Sequence, residues 1–160
     1  SAVFPTISQP RRRASDGAAI ECASPRTAQR PVIDLPPDIH LRFEDRLDYL
    51  YAEVTGPRDS REISTAYWQR IAQRCEARKV RKLMVVENLG DFEGDRDMVN
   101  MVDAIIAMGM GRLKVAFVIA RIEEMARLEH GEILAMERGA NGRVFESTSL
   151  AERWLRHGGE

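Results

Sequence analysis

The densest run of chemistry-bearing side chains is Asp91-Phe92-Glu93-Gly94-Asp95-Arg96-Asp97, where carboxylates recur at nearly alternate positions. Alternating acids of this kind open calcium-binding loops, in which successive side-chain oxygens wrap one hard cation. The run departs from such a loop at two fixed points. Counted from Asp91, the sixth position is Arg96 where glycine makes the turn, and the twelfth is Val102 where a bidentate glutamate closes the shell. A weak Mg²⁺ or Ca²⁺ site on these acids stays open as an alternative. The simpler reading is that Asp95 or Asp97 caps the following helix while the other acids favour its positive end. No residue is assigned as a metal ligand, and no cofactor is expected.

Other catalytic arrangements are missing from the sequence. His40, His130 and His157 are widely spread, no G-x-S-x-G elbow occurs, and His130 beside Gly131 interrupts a helical pattern. Cys75 falls in an apolar helical stripe, where a buried inert thiol is the plain reading, and Cys22 sits in a polar segment. With no CxxC or Cys/His cluster, neither a disulfide framework nor a structural zinc site is expected. Gly109-Met110-Gly111 lacks a third glycine and follows a helix rather than a strand, and no GxxxxGK[ST] is present. No catalytic residue is assigned.

A second signal is the methionines. Met98, Met101, Met108 and Met110 cluster in and just after one helix, and Met125 and Met136 lie on the next. Flexible thioethers fill cores, and they also adapt to varied partners or lipid-like ligands.

Composition bounds these readings. At 160 residues, 44% hydrophobic and 31% charged, the chain suits one globular domain. Lys+Arg number 24 against 25 Asp+Glu, so no basic field exists to attract nucleic acid or an anionic membrane. Apolar runs such as Val115 to Ala120 are too short for stable membrane insertion, and the first residues do not read as a secretory signal. A cytoplasmic protein is the expectation.

The elements that must position the acidic run follow from periodicity. Six of seven prolines lie at or before Pro37, in a Ser/Ala/Arg-rich stretch without an apolar period, so residues 1–37 read as a flexible arm and 38–157 as the domain. Arg11-Arg12-Arg13-Ala14-Ser15 in that arm reads as a docking spot, a phosphorylation target or a solvated charge run. Alternation from Ile39 to Phe43, a turn at Asp45-Arg46 and a run from Leu47 to Thr55 predict a hairpin closed by Gly56-Pro57. Asp59 and Glu62 have capping-box spacing ahead of a helix carrying Ile63, Tyr67, Ile71 and Cys75, widened by Trp68 and Ala72. Leu83 to Val86 and Val115 to Ala120 read as strands buried on both faces. Between them the stripe Met98, Val99, Val102, Ile105 and Ile106 predicts a helix ended by Gly109 and Gly111. A further helix over about 122–138 is expected to turn Ile122, Met125, Ala126, Ile133 and Met136 inward, with Gly139 and Asn141-Gly142 ending it. Arg143 to Phe145 reads as a short strand. Ser149 and Glu152 suggest a second capping box before a helix with Leu150, Trp154 and Leu155, and His157-Gly158-Gly159 lets the chain fray. The resulting order, β-β-α-β-α-β-α-β-α, predicts an α/β fold with a mixed sheet of about five strands and four helices.

Leu83-Met84-Val85-Val86-Glu87-Asn88-Leu89 followed by Asp91-Phe92, the exit Val54-Thr55-Gly56-Pro57, and Arg143-Val144-Phe145 leading to Ala151-Glu152-Arg153-Trp154-Leu155 resemble the STAS domain. This is the anti-sigma-factor antagonist and sulphate-transporter domain, and the likeness leans to its bacterial, SpoIIAA-like branch, over roughly residues 39–156. The resemblance implies a regulatory protein-interaction module switched by phosphorylation of a Ser or Thr in the loop after the third strand. Here no Ser or Thr lies between Glu87 and Met98, and Asp95, Arg96 and Asp97 stand in the matching region. The expectation is therefore a non-enzymatic module without that switch. It would contact another protein through Asp91, Phe92, Glu93, Asp95, Arg96 and Asp97, with a homodimer left open. The alternative is a carrier holding an apolar or lipid-like small molecule against Met98, Met101, Val102, Met108 and Met125. An enzyme using the loop acids and a divalent metal is a third reading.

Overall fold

A computed structural model describes residues 33–158. Most of the expected arm, with Cys22 and the Arg11–Ser15 run, lies outside the described residues, as does Gly159. Of the arm's last residues, Ile33 donates its N–H to Gln69 Oε1 at 3.1 Å and Leu35 packs against the core.

Strand β1 (His40–Asp45) turns back through residues 46–49 into β2 (Leu50–Thr55), giving the expected hairpin. A two-residue strand, β3 (Asp59–Ser60), leads into α1 (Arg61–Arg78). Strand β4 (Lys82–Asn88) follows, then a second two-residue strand, β5 (Phe92–Glu93), and α2 (Met98–Ala107). Strand β6 (Lys114–Ile119), α3 (Met125–Glu137), β7 (Asn141–Phe145) and α4 (Thr148–His157) complete the domain. The main sheet has the order β1-β2-β4-β6-β7, antiparallel only at β1–β2. Strands separated by a helix pair in parallel because the crossover has length enough to return the chain to the same edge. The expected mixed α/β fold, five main strands and four α-helices, is what the chain adopts. Strands β3 and β5 form a separate parallel pair, Asp59 opposite Phe92 and Ser60 opposite Glu93.

Side chains alternate across a strand, so β4 sends Leu83, Val85 and Glu87 to one face and Met84 and Val86 to the other. The first face packs under α1 with Ile63, Tyr67, Trp68, Ile71 and Cys75. The second packs under α4 with Ala151, Trp154 and Leu155. The α1 stripe is thus as expected, and burial pushes the Cys75 thiol up to about 11. Lys79 ends α1 in the left-handed conformation at φ 57°, its N–H returning to the last turn.

Several local expectations need correction. Ser60, not Asp59, caps α1, its hydroxyl accepting from the Ile63 N–H at 3.1 Å, and Glu62 is exposed. Ser147, not Ser149, caps α4 through the Leu150 N–H at 3.2 Å, which rotates Leu150 outward. The helix expected from Ile122 begins as a 3₁₀ turn over Ile122–Glu124, and α3 proper starts at Met125. A 3₁₀ turn advances fewer residues per turn, so a stripe counted from Ile122 at 3.6 falls out of phase. Ile122, Ala126, Ile133 and Met136 are consequently exposed, Met125 is half-buried, and Leu128, Gly131 and Leu134 face inward. Val99 is also exposed on α2. Gly131 does not interrupt α3 but lets it approach α2: a β-carbon there would sit 2.8 Å from Met98 Cε. Asn141-Gly142 open β7 rather than end a helix; Gly139, at φ +80°, makes the turn.

Candidate functional site

Glu87 is the one acid that β4 carries onto the α1 face, two residues beyond Val85 in the same alternation. Above it, α1 places Tyr67 so that the phenol donates to Glu87 Oε2 at 3.3 Å. The short β3–β5 pairing brings a second acid to the same place. Asp59 donates its N–H to the Asp91 carbonyl at 2.9 Å and is itself buried. That crossing is close: a β-carbon on Gly90 would fall 1.9 Å from the Pro57 carbonyl oxygen, so only glycine fits.

The two acids hydrogen-bond each other, and their surroundings divide the roles. Asp59 accepts from the Ser60 N–H at 2.7 Å and the Ser64 hydroxyl at 3.0 Å, bonds that favour its anion. Burial pushes both carboxyls up, and Glu87, with burial first and the neighbouring Asp59 charge second, rises to about 7. Below about pH 7 Asp59 therefore holds the charge and Glu87 the shared proton. Burial beside Glu87 and Asp59 also raises the Tyr67 phenol well above its ordinary range.

Two guanidiniums complete the cluster. Arg96 turns inward from the acidic loop, its guanidinium 3.8 Å from the Phe92 ring centroid and 3.9 Å from Asp59 Oδ2. Burial, and then the neighbouring Arg127, lower its pKa. Arg127, in the first turn of α3, pairs with Glu124 and donates to Met98 Sδ at 3.8 Å.

These polar groups stand at one end of a cavity of about 130 Å³ between the helices and the sheet. Its floor includes Val115 and Phe117, the latter stacked on Trp68 at 6.2 Å. Its walls are Met98, Met101, Val102 and Ile105 from α2, and Leu128 and Gly131 from α3. Glu87, Tyr67, Arg96 and Arg127 are shared between this wall and the buried acid pair. An apolar chamber with a few convergent polar groups at one end is the usual form of a small-molecule site.

The residues singled out in the sequence divide accordingly. Met98, Met101 and Val102 line the cavity, Met108 lines a neighbouring groove between α1 and α2, and Met125 lines neither. Asp91 pairs with Arg121 at 2.8 Å, Glu93 with Arg58 at 3.6 Å, and Asp97 caps α2 through the Asn100 N–H at 3.1 Å. Asp95 is exposed beside that groove. Of the loop, only Arg96 enters the cavity. Glu87, Tyr67, Asp59, Ser64 and Arg127 were not anticipated. A charged residue closing the apolar run Leu83–Val86, and a tyrosine within an apolar stripe, were the available signals. Among the described residues no group of three or more His, Cys, Asp or Glu side chains is arranged to hold a metal, and no helix is long and apolar enough to cross a membrane.

No protein-family profile and no curated protein matches the chain. A solved structure from Shewanella loihica PV-4, described as an uncharacterized protein from the DUF3478 family with a SpoIIAA-like fold, is similar at 16% identity. The match covers 73% of this chain and 93% of that one, with a TM-score of 0.43. That description names a fold and no activity, and function is read from this chain's own residues.

Proposed function

We propose that this protein is a non-catalytic binding module that holds a small, mainly apolar ligand in the chamber beneath α2 and α3. The observation that carries the reading is the cavity itself: aromatic and thioether walls, with Tyr67, Glu87, Arg96 and Arg127 gathered at one end. Methionines suit such walls because three rotatable bonds let them close around ligands of varied outline. The polar end would orient the ligand, since a buried hydrogen-bonding group is costly when left unpaired. Binding would act on α2 and on the loop that feeds it, the same segment that supplies Arg96, and so would couple occupancy to the outer surface.

Native mass spectrometry of the freshly purified full chain tests this. A non-covalent adduct of a few hundred daltons is expected, and it should be lost in Ala135→Trp, since Ala135 also lines the chamber on α3 and the indole would fill it. An adduct that persists unchanged in that variant, or binding of medium-chain amphiphiles that the variant does not weaken, would count against the cavity.

A second reading, contact with another protein through the Asp91–Asp97 loop, is favoured by the exposure of the Asp91 side chain, 90% despite its pairing with Arg121. It predicts that Asp91→Asn and Asp95→Asn together abolish partner capture while leaving ligand binding intact.

A further inference from the structure

The polar end of the cavity is unevenly satisfied, and the imbalance says what kind of ligand group it takes. Arg127 is paired with Glu124, Asp59 is held by Ser60 and Ser64, and Glu132 on the far wall accepts the Val144 N–H at 2.9 Å. Tyr67 gives its hydrogen to Glu87. Arg96 differs. Among the described residues its guanidinium has a long ion pair at 3.9 Å and a ring to stack on, and no hydrogen-bond acceptor, although its side chain is only 14% exposed. A guanidinium carries five donors in a planar fork that matches a carboxylate.

Resting on the reading above, we infer that the ligand is an amphipathic monocarboxylic acid whose head group accepts hydrogen bonds from Arg96 beside Arg127, with its chain among the methionines. The two guanidiniums repel one another across the wall they share, Asp59 and Glu124 offset part of that repulsion, and an anion placed there relieves the remainder. A carboxylate fits beside Glu87 only while Glu87 is neutral. The groups facing Glu87 are Tyr67 from α1, Asp59 from β3, Arg96 from the loop and Arg127 from α3, with Arg121 and Glu124 from the segment before α3 lining the recess behind it. The charge on Asp59 keeps the proton on Glu87, so the end wall offers the ligand a neutral carboxyl and two guanidiniums that Asp59 and Glu124 only partly neutralise. Size follows from volume. A chamber of about 130 Å³, close to the roughly 150 Å³ of a cavity that holds benzene, seats about six heavy atoms, so the carboxylate and the first carbons of a longer chain fill it and the rest of the chain leaves through its open side.

Calorimetric titration of the full chain with decanoate and with decan-1-ol, both below their aggregation limits, tests the assignment. Decanoate is expected to bind at least about tenfold more tightly than decanol, the difference of one charge-assisted hydrogen bond. Arg96→Gln should cost decanoate about tenfold or more and leave decanol within about threefold, which also reports that the chamber is still folded. If decanol binding is lost as well, Arg127→Gln is the second variant and carries the same expectation. Raising the pH through about 7 should weaken decanoate in the native protein and not in Glu87→Gln. Equal affinity for acid and alcohol overturns the carboxylate and leaves the cavity reading standing. Binding of neither compound overturns both.

Discussion

Replacing Glu87 with glutamine changes the pH dependence of stability in a way that follows from the buried acid pair. Glu87 titrates near 4.5 when unhindered and is raised to about 7 in the folded protein, chiefly by burial and then by Asp59. Below about 4.5 the carboxyl is protonated in both folded and unfolded chains, and its ionisation contributes nothing. Between about 4.5 and 7 it is ionised only when unfolded, so each pH unit costs the native state about 1.4 kcal/mol. Above 7 it is ionised in both, and the accumulated cost levels off near 3 kcal/mol, a ceiling that assumes Asp59 stays ionised throughout. Glutamine escapes this cost. Its amide N–H still donates to Asp59 and its oxygen still accepts from Tyr67. Urea unfolding of both proteins at about pH 5, 6, 7 and 8 measures the difference in ΔG at each step. The variant should gain on the native protein steadily from 5 to 7 and then hold a constant lead. A constant difference across the range, or a lead that shrinks as pH rises, would refute the assignment of the shared proton to Glu87.

Two smaller changes test the local structure. Ser60→Ala should cost about 1 kcal/mol, because Ser60 caps α1, whereas Glu62→Ala should change stability by less than about 0.5 kcal/mol; thermal denaturation separates the two. Gly131→Ala places its β-carbon 2.8 Å from the flexible end of Met98, so helix propensity and crowding nearly cancel within about 1 kcal/mol. The same change pushes Met98 into the chamber and should weaken decanol binding severalfold in calorimetry.

The order of elements was legible in the sequence because it depends on local periodicity: the Ile63–Tyr67–Ile71–Cys75 stripe and the apolar runs of β4 and β6 each carry their own signal. Local phase was less legible. The 3₁₀ turn at Ile122–Glu124 shifted the inward face of α3, a slip that apolar spacing alone did not reveal. The site was the least legible part. Asp59, Tyr67, Glu87, Arg96 and Arg127 come from five separate segments, and what joins them is the parallel register of β4 with its neighbours and the short β3–β5 pairing. The acidic run stands out for its charge density, yet most of its acids pair with arginines of other segments or cap α2. Its arginine is the residue that reaches the cavity. The methionine cluster pointed to the right helix and to two of its cavity-lining members, Met98 and Met101, whereas Met108 and Met125 lie outside the chamber.

The chain's seven methionines make the central claim directly observable. With methyl-¹³C methionine incorporated, each gives one signal, and titration with decanoate reports which thioethers meet the ligand. Met98, Met101 and Met110, which line the chamber, should shift together in a saturable manner. Met84, buried under α4 on the opposite face of the sheet, and Met136, exposed on α3, should stay fixed. Shifts confined to Met136, or no saturable shift at the three chamber methionines, would contradict a ligand site beneath α2 and α3.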